Sequence, residues 1–514
     1  MKISTTSVLL AAGLLISPPA LAQKSKNSVR IAFSDPVSTV DSIFDPKGET
    51  SATAAAVYDT LVQYNHKTKG FDPLLAKSWK RLSPTVWEFQ LRDDVKFHNG
   101  MPLTAEDVEY TLGFASNPKT KFRIKTSFLW IKKVTATGKH TVQIETKRPY
   151  AMTLARLSGR HFIYPKAIFS KYENKSDFGR KTPIGTGPYK VISVDPNQGI
   201  VLEKNDAYTH ATEAKPAGKI QRIEILPVPD DQTKIAKMMV NGIDLMVVTN
   251  PDLRQSISAS PNNAVTVNSG DLNFFYIALD ALDRTGIGHL KDIRVRTAIN
   301  HAINRDAIRK NLVAGGDKAI DMKGLCLPAQ IGCSYDLGTQ RHAYDLAKAK
   351  QLMKEAGKEQ GFDVDIVTVA WARQVAEAIA GDLSKINIKA KIKSMTMGAY
   401  RKAQGGGKVQ ILVQNFSMGG VPDTASGFTF YFGSKARDYY GDAEIKSRLK
   451  KINSIFDQTE RDRIAKEMLT LNNKGGYVIP ISSNPTTFAH PKDLVIETGS
   501  IVPFGADLNR MYWK

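Results

Sequence analysis

Residues 87–108 constrain the fold more tightly than any other stretch, because a single physical reading runs through all of them. Trp87, Phe89 and Leu91 alternate with polar residues, the period of a strand with one buried face. Asp93-Asp94 turns the chain, Val95 and Phe97 bring it back, and His98-Asn99-Gly100 supplies a second turn where Asn and Gly tolerate positive φ. Two short strands in a hairpin are expected. Thr104 precedes Asp107 by three residues, so its hydroxyl can cap a helix in which Ala105, Val108, Leu112 and Ala115 share one face. The unit reads as scaffold. Asp93 and Asp94 are adjacent and point apart, as a solvated turn does, and His98 reads as a surface turn residue.

Lys2, an apolar run over residues 8–16 and Pro-Pro-Ala-Leu-Ala ending at Ala22 have the layout of a secretory signal peptide cleaved after Ala22. No later segment approaches the roughly 20 apolar residues of a membrane span, and no Cys near the cleavage site suggests a lipid anchor. A soluble exported chain retained near the cell points to a Gram-negative periplasm. About 490 mature residues exceed what one core supports, so two or three domains are expected. Cys326 and Cys333 flank six residues rich in Gly, Pro and Ala, and in an oxidising compartment a local disulfide is expected. The 71 basic and 50 acidic side chains give +21, or +20 once Lys2 leaves. The basic residues are dispersed, without an aromatic-interleaved stripe, so no nucleic-acid partner is expected. A solvated basic surface or a pocket for an anionic ligand are the remaining readings.

Residues 29–33 alternate as a first strand, and 53–64 read as a helix with Val57 and Leu61 on its apolar face. In Pro183-Ile-Gly-Thr-Gly-Pro-Tyr189, Gly185 and Gly187 permit a sharp turn before a strand at 189–194. A helix over 235–245 and a strand over 243–248 follow, then a strand at 274–279 and a helix opening at Asp292. Residues 344–357 form a helix with Ala347, Leu352 and Met353 inward and Gly357 beyond its end. Strand 364–370, a helix from about Arg373 to Ile386 and a strand at 390–392 make a βαβ unit. Helical patterning over 444–471 and a strand at 478–481 complete it.

Several of these segments, above all 87–108, 183–189, 235–248, 344–357 and the 292–306 stretch Asp-Ile-Arg-Val-Arg-Thr-Ala-Ile-Asn-His-Ala-Ile-Asn-Arg-Asp, resemble in order the family 5 solute-binding proteins of bacterial ABC importers, the peptide/nickel/opine-binding type. The resemblance covers essentially the whole mature chain. It implies an α/β fold of the type II periplasmic-binding-protein kind, two lobes joined by a two-segment hinge near Asn273 and Ser483, with an extra α+β subdomain on the first lobe. The implied division is 1–22 signal peptide, 23–50 first lobe, 51–183 accessory subdomain, 184–272 first lobe, 273–483 second lobe and 484–514 first lobe.

The resemblance also places the ligand between the lobes. Peptide-binding members carry an acidic residue after a Trp on a second-lobe loop, pairing the ligand's ammonium. In the matching stretch 415–423, Phe416 stands where Trp does and Gly419 where the acid falls. Dipeptide-binding members hold the ligand carboxylate with an Arg on the loop before the helix that starts here at Arg373. That loop is only Val369-Ala-Trp-Ala372, so the Arg is gone unless Arg373 replaces it. Trp371, Arg373, Asn415, Phe416, Ser417, Gly419 and Gly420 are the expected ligand-binding residues, with Trp371, Phe416 and Tyr431 available to stack, and a plain dipeptide is a poor fit.

An exported hydrolase would need other parts. The nine His are scattered, and no His-Glu-x-x-His, Gly-x-Ser-x-Gly or Ser-x-x-Lys set with its companions is present. Neither Gly185-Thr-Gly187 nor Gly405-Gly-Gly-Lys408 continues as a phosphate loop. His161, His301 and His490 could form a metal-ligand set, but each alone reads as core or surface. The expectation is a monomeric periplasmic binder, without cofactor, catalytic residue or metal, that closes on a small peptide-like, opine or sugar-conjugate solute and delivers it to an ABC permease. The competing readings are an exported hydrolase and a chaperone-like peptide binder.

Overall fold

The computed structural model describes residues 24, 26–249, 251–270, 272–336, 342–417, 420–499 and 507–514. The expected leader with its cleavage point, and Gly419, lie outside them. No helix among the described residues is long and apolar enough to cross a membrane.

The protein is α/β and is organised around two sheets. The first has seven strands in the order Asn263–Asn268, Thr486–Pro491, Leu245–Val248, Ser28–Phe33, Arg222–Pro227, Gly199–Lys204 and Tyr189–Asp195. Ser28–Phe33 lies at its centre, parallel to both neighbours. Its alternate residues explain the burial of both faces: Val29, Ile31 and Phe33 enter one core, while Ala32 joins Met238, Leu253 and Ile257 of helices Asp231–Met239 and Pro251–Ser258. The second sheet runs Ile388–Met395, Phe362–Val369, Ile411–Ser417, Asn273–Leu279 and Val478–Ser483. Strands Phe362–Val369 and Ile388–Met395 are parallel and joined by helix Arg373–Ser384.

The chain passes between the sheets twice, at 269–272 and at 484–485. The strands on either side are paired antiparallel in both sheets, Asn268 opposite Thr486 and Phe274 opposite Ser483. The Asn484 amide donates to the Asn273 carbonyl at 2.8 Å between them.

A four-stranded antiparallel sheet, Ala76–Ser83, Val86–Leu91, Thr141–Thr146 and Ile131–Gly138, packs on helix Ala105–Ser116. Trp87, Phe89 and Leu91 fill its buried face, with Ala105, Val108, Leu112 and Ala115 opposite. The expected return strand does not form. Val86–Leu91 pairs with the preceding strand Ala76–Ser83 on one edge and with the distant Thr141–Thr146 on the other, and residues 95–102 make only a bridge between Lys96 and Pro102, with Gly100 at φ +85°. The expected cap forms as a capping box: the Thr104 side chain faces the Asp107 amide, and the Asp107 carboxylate accepts from the Thr104 amide (2.9 Å) and hydroxyl (3.0 Å).

Other local expectations shift for physical reasons. The helix expected over 53–64 spans Gly48–Val57, and Val62–Asn65 is a strand paired with Gly70–Pro73, because tertiary pairing outweighs the Val57/Leu61 spacing. Ala347 is exposed, and Ala349 packs inward with Leu352 and Met353. Gly185 and Gly187 have ordinary negative φ; a Cβ there would lie 2.0 and 2.6 Å from the carbonyl oxygens of Val57 and Ala56, so close approach to the end of helix Gly48–Val57 demands them. His98 is not a free surface residue. Its Nδ1 accepts from the Gly185 amide (3.2 Å), which leaves Nε2 to donate to the Gly187 carbonyl (3.0 Å).

Accessory residues also reach the second lobe. Tyr150, Met152 and Ala155 share its core cluster, the Ala151 amide donates to the Asn453 carbonyl at 2.8 Å, and the Arg81 guanidinium lies 3.6 Å over the Phe456 ring.

Cys326 and Cys333 are joined in a disulfide. The loop it closes braces the segment after Gly420: Ile331 exchanges backbone bonds with Pro422 (2.8 Å) and Thr424 (3.0 Å), and Gln330 donates to the Asp423 carbonyl. Closing so short a loop should stabilise by about 2–3 kcal/mol through the unfolded chain. Urea unfolding of the Cys326→Ser/Cys333→Ser variant is expected to show that loss.

Burial pushes the His98 imidazole down to about 4, against about 6.5 in an unfolded chain. The unfolded chain therefore takes up the proton first, and this contribution is whole above about pH 6.5 and lost as pH falls toward 4. His98→Gln is expected to cost about 1–2 kcal/mol at pH 7 and to flatten the fall in stability toward pH 4.5. His161, pushed by burial to about 3, leaves a residual slope. Urea midpoints of both proteins at the two pH values measure this.

Candidate functional site

In α/β sheets the crevice for a ligand opens beyond the carboxyl ends of parallel strands. Here four such ends converge. Phe33, Ser34 and Asp35 follow strand Ser28–Phe33, and Val248 and Thr249 end strand Leu245–Val248; from the second sheet come Trp371, after Phe362–Val369, and Ser417 and Gly420, after Ile411–Ser417. They enclose a cavity of about 660 Å³, floored by Leu272, Asn273, Asn484 and Pro485 of the two crossing segments. A larger cavity exists elsewhere, away from both the strand ends and the crossings.

Of the expected residues, the structure brings Trp371, Asn415, Ser417 and Gly420 to this cavity. Trp371 is 57 % exposed, high for a tryptophan, and its Nε1 donates to Asn415 Oδ1 at 2.7 Å, which fixes the indole against the cleft. Gly420 has φ +76°, a conformation that favours glycine. Phe416 does not join them. The strand alternates, so while Asn415 and Ser417 face the cavity Phe416 turns inward, 4.1 Å from the Phe430 ring centroid. Tyr431 is buried in the same core, 5.2 Å from Tyr276. Arg373 opens its helix exposed and paired with Glu377 at 2.8 Å, outside the cavity lining, while Gln374 and Val375 reach in. His161, His301 and His490 are not brought together: among the described residues no three metal-ligating side chains cluster.

Sequence reasoning missed the charged part of the site. Helix Gly48–Val57 points its first turn into the cavity, with Lys47 and Glu49 at its mouth, and Lys47 pairs with Asp35 at 3.4 Å. Burial raises the Glu49 carboxyl above its ordinary pKa, Asp35 adding to the effect and Lys47 opposing it. Arg160 enters from the accessory subdomain. It donates from Nη1 to the Pro46 carbonyl at 3.2 Å, its Nε is enclosed without a partner, and no acidic side chain among the described residues pairs with it. Burial lowers it to about 10, so it is still a cation at neutral pH. Asn273 Oδ1 and Thr487 Oγ1, also lining the cavity, are likewise enclosed without hydrogen bonds. The Asp35 turn at a strand end was a usable signal; Arg160, in a stretch without periodicity, offered none.

Two α/β lobes around an unsatisfied polar cleft define a ligand-binding protein of the type II periplasmic kind. Residues 70–439 match the bacterial extracellular solute-binding proteins, family 5. The chain belongs to this family. It is 27% identical over 408 residues to the dipeptide-binding protein of Escherichia coli K12, covering 73% of this chain and 74% of that one. It is 26% identical over 506 residues to the glutathione-binding protein GsiB of Salmonella typhi, covering 95% and 94%. The periplasmic binding protein DppA of Helicobacter pylori, solved with the peptide STSA, superposes with a TM-score of 0.76 at 24% identity over 95% of this chain and 98% of that one. Members of the family are binding proteins that work with ABC transporters.

An enclosed guanidinium without a counter-charge costs stability. Arg160→Met should raise the unfolding free energy of the ligand-free chain by about 1 kcal/mol, read from urea midpoints; a loss of stability would show that Arg160 is structural.

Proposed function

We propose that this chain captures a small amino-acid-derived solute in the cleft between its lobes, peptide-like or of the opine or sugar-conjugate type, and hands it to an ABC permease without altering it. The observation that carries the reading is Arg160, a cation at the cavity that no acidic side chain among the described residues pairs with. A ligand carboxylate supplies the missing charge, and Glu49 and Asp35 on the first-lobe wall offer partners for a ligand ammonium. Trp371, held by Asn415, provides an apolar face for the remainder, and Gly420 leaves room for it. The dipeptide-binding and glutathione-binding relatives carry in their names ligands with free carboxylates. Glu49 is a wall residue of the first lobe, not the loop acid of peptide-binding members, so spacing between the ligand charges differs and ordinary dipeptides bind weakly. The exported chain works in the periplasm as a monomer after loss of residues 1–22.

A thermal-shift panel of dipeptides, tripeptides, opines and sugar conjugates tests this. A cognate solute at a hundredfold excess over Kd stabilises by about 2.7 kcal/mol, a shift of several degrees. Arg160→Met should abolish the response, and Glu49→Gln should weaken it at least tenfold for zwitterions while sparing ligands with a carboxylate alone. Full response in Arg160→Met, or none from any carboxylate-bearing solute, overturns the reading.

A further inference from the structure

The larger cavity, of about 820 Å³, lies between the accessory subdomain and the second lobe. The turn after strand Thr141–Thr146 supplies Arg148 and Pro149, and the second lobe supplies the rest. Its floor is apolar, made by Pro149, Leu282, Phe432 and Leu449, and Leu282 is 46 % exposed there. Its rim is cationic. Lys446 is neutralised by Asp438, and Arg284 is held by the carbonyls of Ala436 (2.9 Å) and Gly405 (3.3 Å) and by the Tyr439 ring. Arg148, Lys435 and Lys450 have no ion pair among the described residues. Among the described residues that line the cavity, Asp438 is the one acid, and it is already paired. A second, independent feature is Asn453, buried to 8 % exposure yet lining the cavity with its Oδ1 unpartnered.

We infer that this groove is a second binding site, for an anionic amphiphile: a single apolar chain on the Leu282, Phe432 and Leu449 floor, with a carboxylate or phosphate head at Arg148, Lys435 and Lys450. Apolar burial supplies affinity, and the unpaired cations select the head group. Solvated lysines alone would bind nothing; it is their position around an exposed apolar floor that makes a site. The groove bridges two substructures, so an occupant would also tie the accessory subdomain to the second lobe.

Calorimetry on the full mature chain tests the assignment with dodecanoate, dodecyl phosphate and, as the neutral control, dodecyl maltoside, each below its micelle concentration. Both anions should bind at least tenfold more tightly than the neutral probe, and the stronger of the two identifies the head group as carboxylate or phosphate. Lys435→Glu/Lys450→Glu should weaken the anions at least tenfold, and Leu282→Asp should do so through the floor. All three positions are exposed, so the fold should persist, as an unchanged melting temperature would verify. Equal affinity for the neutral probe, no binding of either anion, or wild-type affinity in both variants overturns the proposal.

Discussion

Two antiparallel chain segments run side by side through both sheets, and everything else in the molecule is arranged around them. Residues 263–268 and 486–491 pair in the first sheet, and 273–279 and 478–483 pair in the second. Between them only a few residues cross, tied by the bond from Asn484 to Asn273. A double connection of this kind resists twisting of one lobe on the other but leaves bending about the crossing. The cavity is floored by the same residues. Bending about the crossings therefore changes the volume that a ligand would occupy, which couples capture to lobe position by geometry alone.

The energetic character of that cavity follows from where its polar groups come from. Several of the polar atoms that line it find no partner in either lobe, Arg160 Nε, Asn273 Oδ1 and Thr487 Oγ1 among them. Closing the lobes over unsatisfied groups costs several kcal/mol unless something pairs with them. A ligand that does so favours the closed arrangement by its differential affinity and nothing more. The disulfide at Cys326–Cys333 contributes rigidity on the second-lobe side, since the loop it closes is hydrogen-bonded to the segment that leaves Gly420. Asp423, in that segment, is further held by Arg461 at 2.5 Å in a buried pair.

Much of the fold was legible, and the reason differs by element. The 362–395 βαβ unit was readable because its pairing strands are also neighbours in sequence, whereas strand 28–33 and the Ala105–Ser116 helix were readable from their apolar period alone, the strand's partners lying at 222–227 and 245–248. The 95–97 return was misread because both edges of Val86–Leu91 are taken, one by the preceding strand Ala76–Ser83 and the other by Thr141–Thr146, a pairing that local pattern cannot announce. Within the site, Trp371 follows a strand end and could be placed from the loop alone, while Asn415 lies inside strand Ile411–Ser417 near its carboxyl end. Phe416 could not be placed, since a one-residue change of parity decides whether an aromatic faces cleft or core. Arg160 depends on the accessory subdomain folding back onto the crevice, information carried by tertiary packing and by no short motif.

The block at residues 87–108 carries no group for the ligand, yet the site depends on it mechanically. Its His98 fastens the Gly185–Gly187 turn through three hydrogen bonds, and that turn presses against the carboxyl end of helix Gly48–Val57, where the Gly187 amide donates to the Val57 carbonyl at 2.9 Å. Thr186 and His210 anchor the neighbouring Asp59 carboxylate, each at 2.9 Å, so the helix end is held from two sides. A ten-residue helix fixed at one end positions the other, and the other end presents Lys47 and Glu49 to the cavity. Glycine is required in the turn because no Cβ fits between it and the helix, and His98 works there only as the neutral tautomer that accepts at Nδ1 and donates at Nε2. The accessory subdomain is thus a mount for the first-lobe wall of the cleft as well as the source of Arg160, which makes its packing a determinant of ligand geometry even though most of its surface is remote from the ligand.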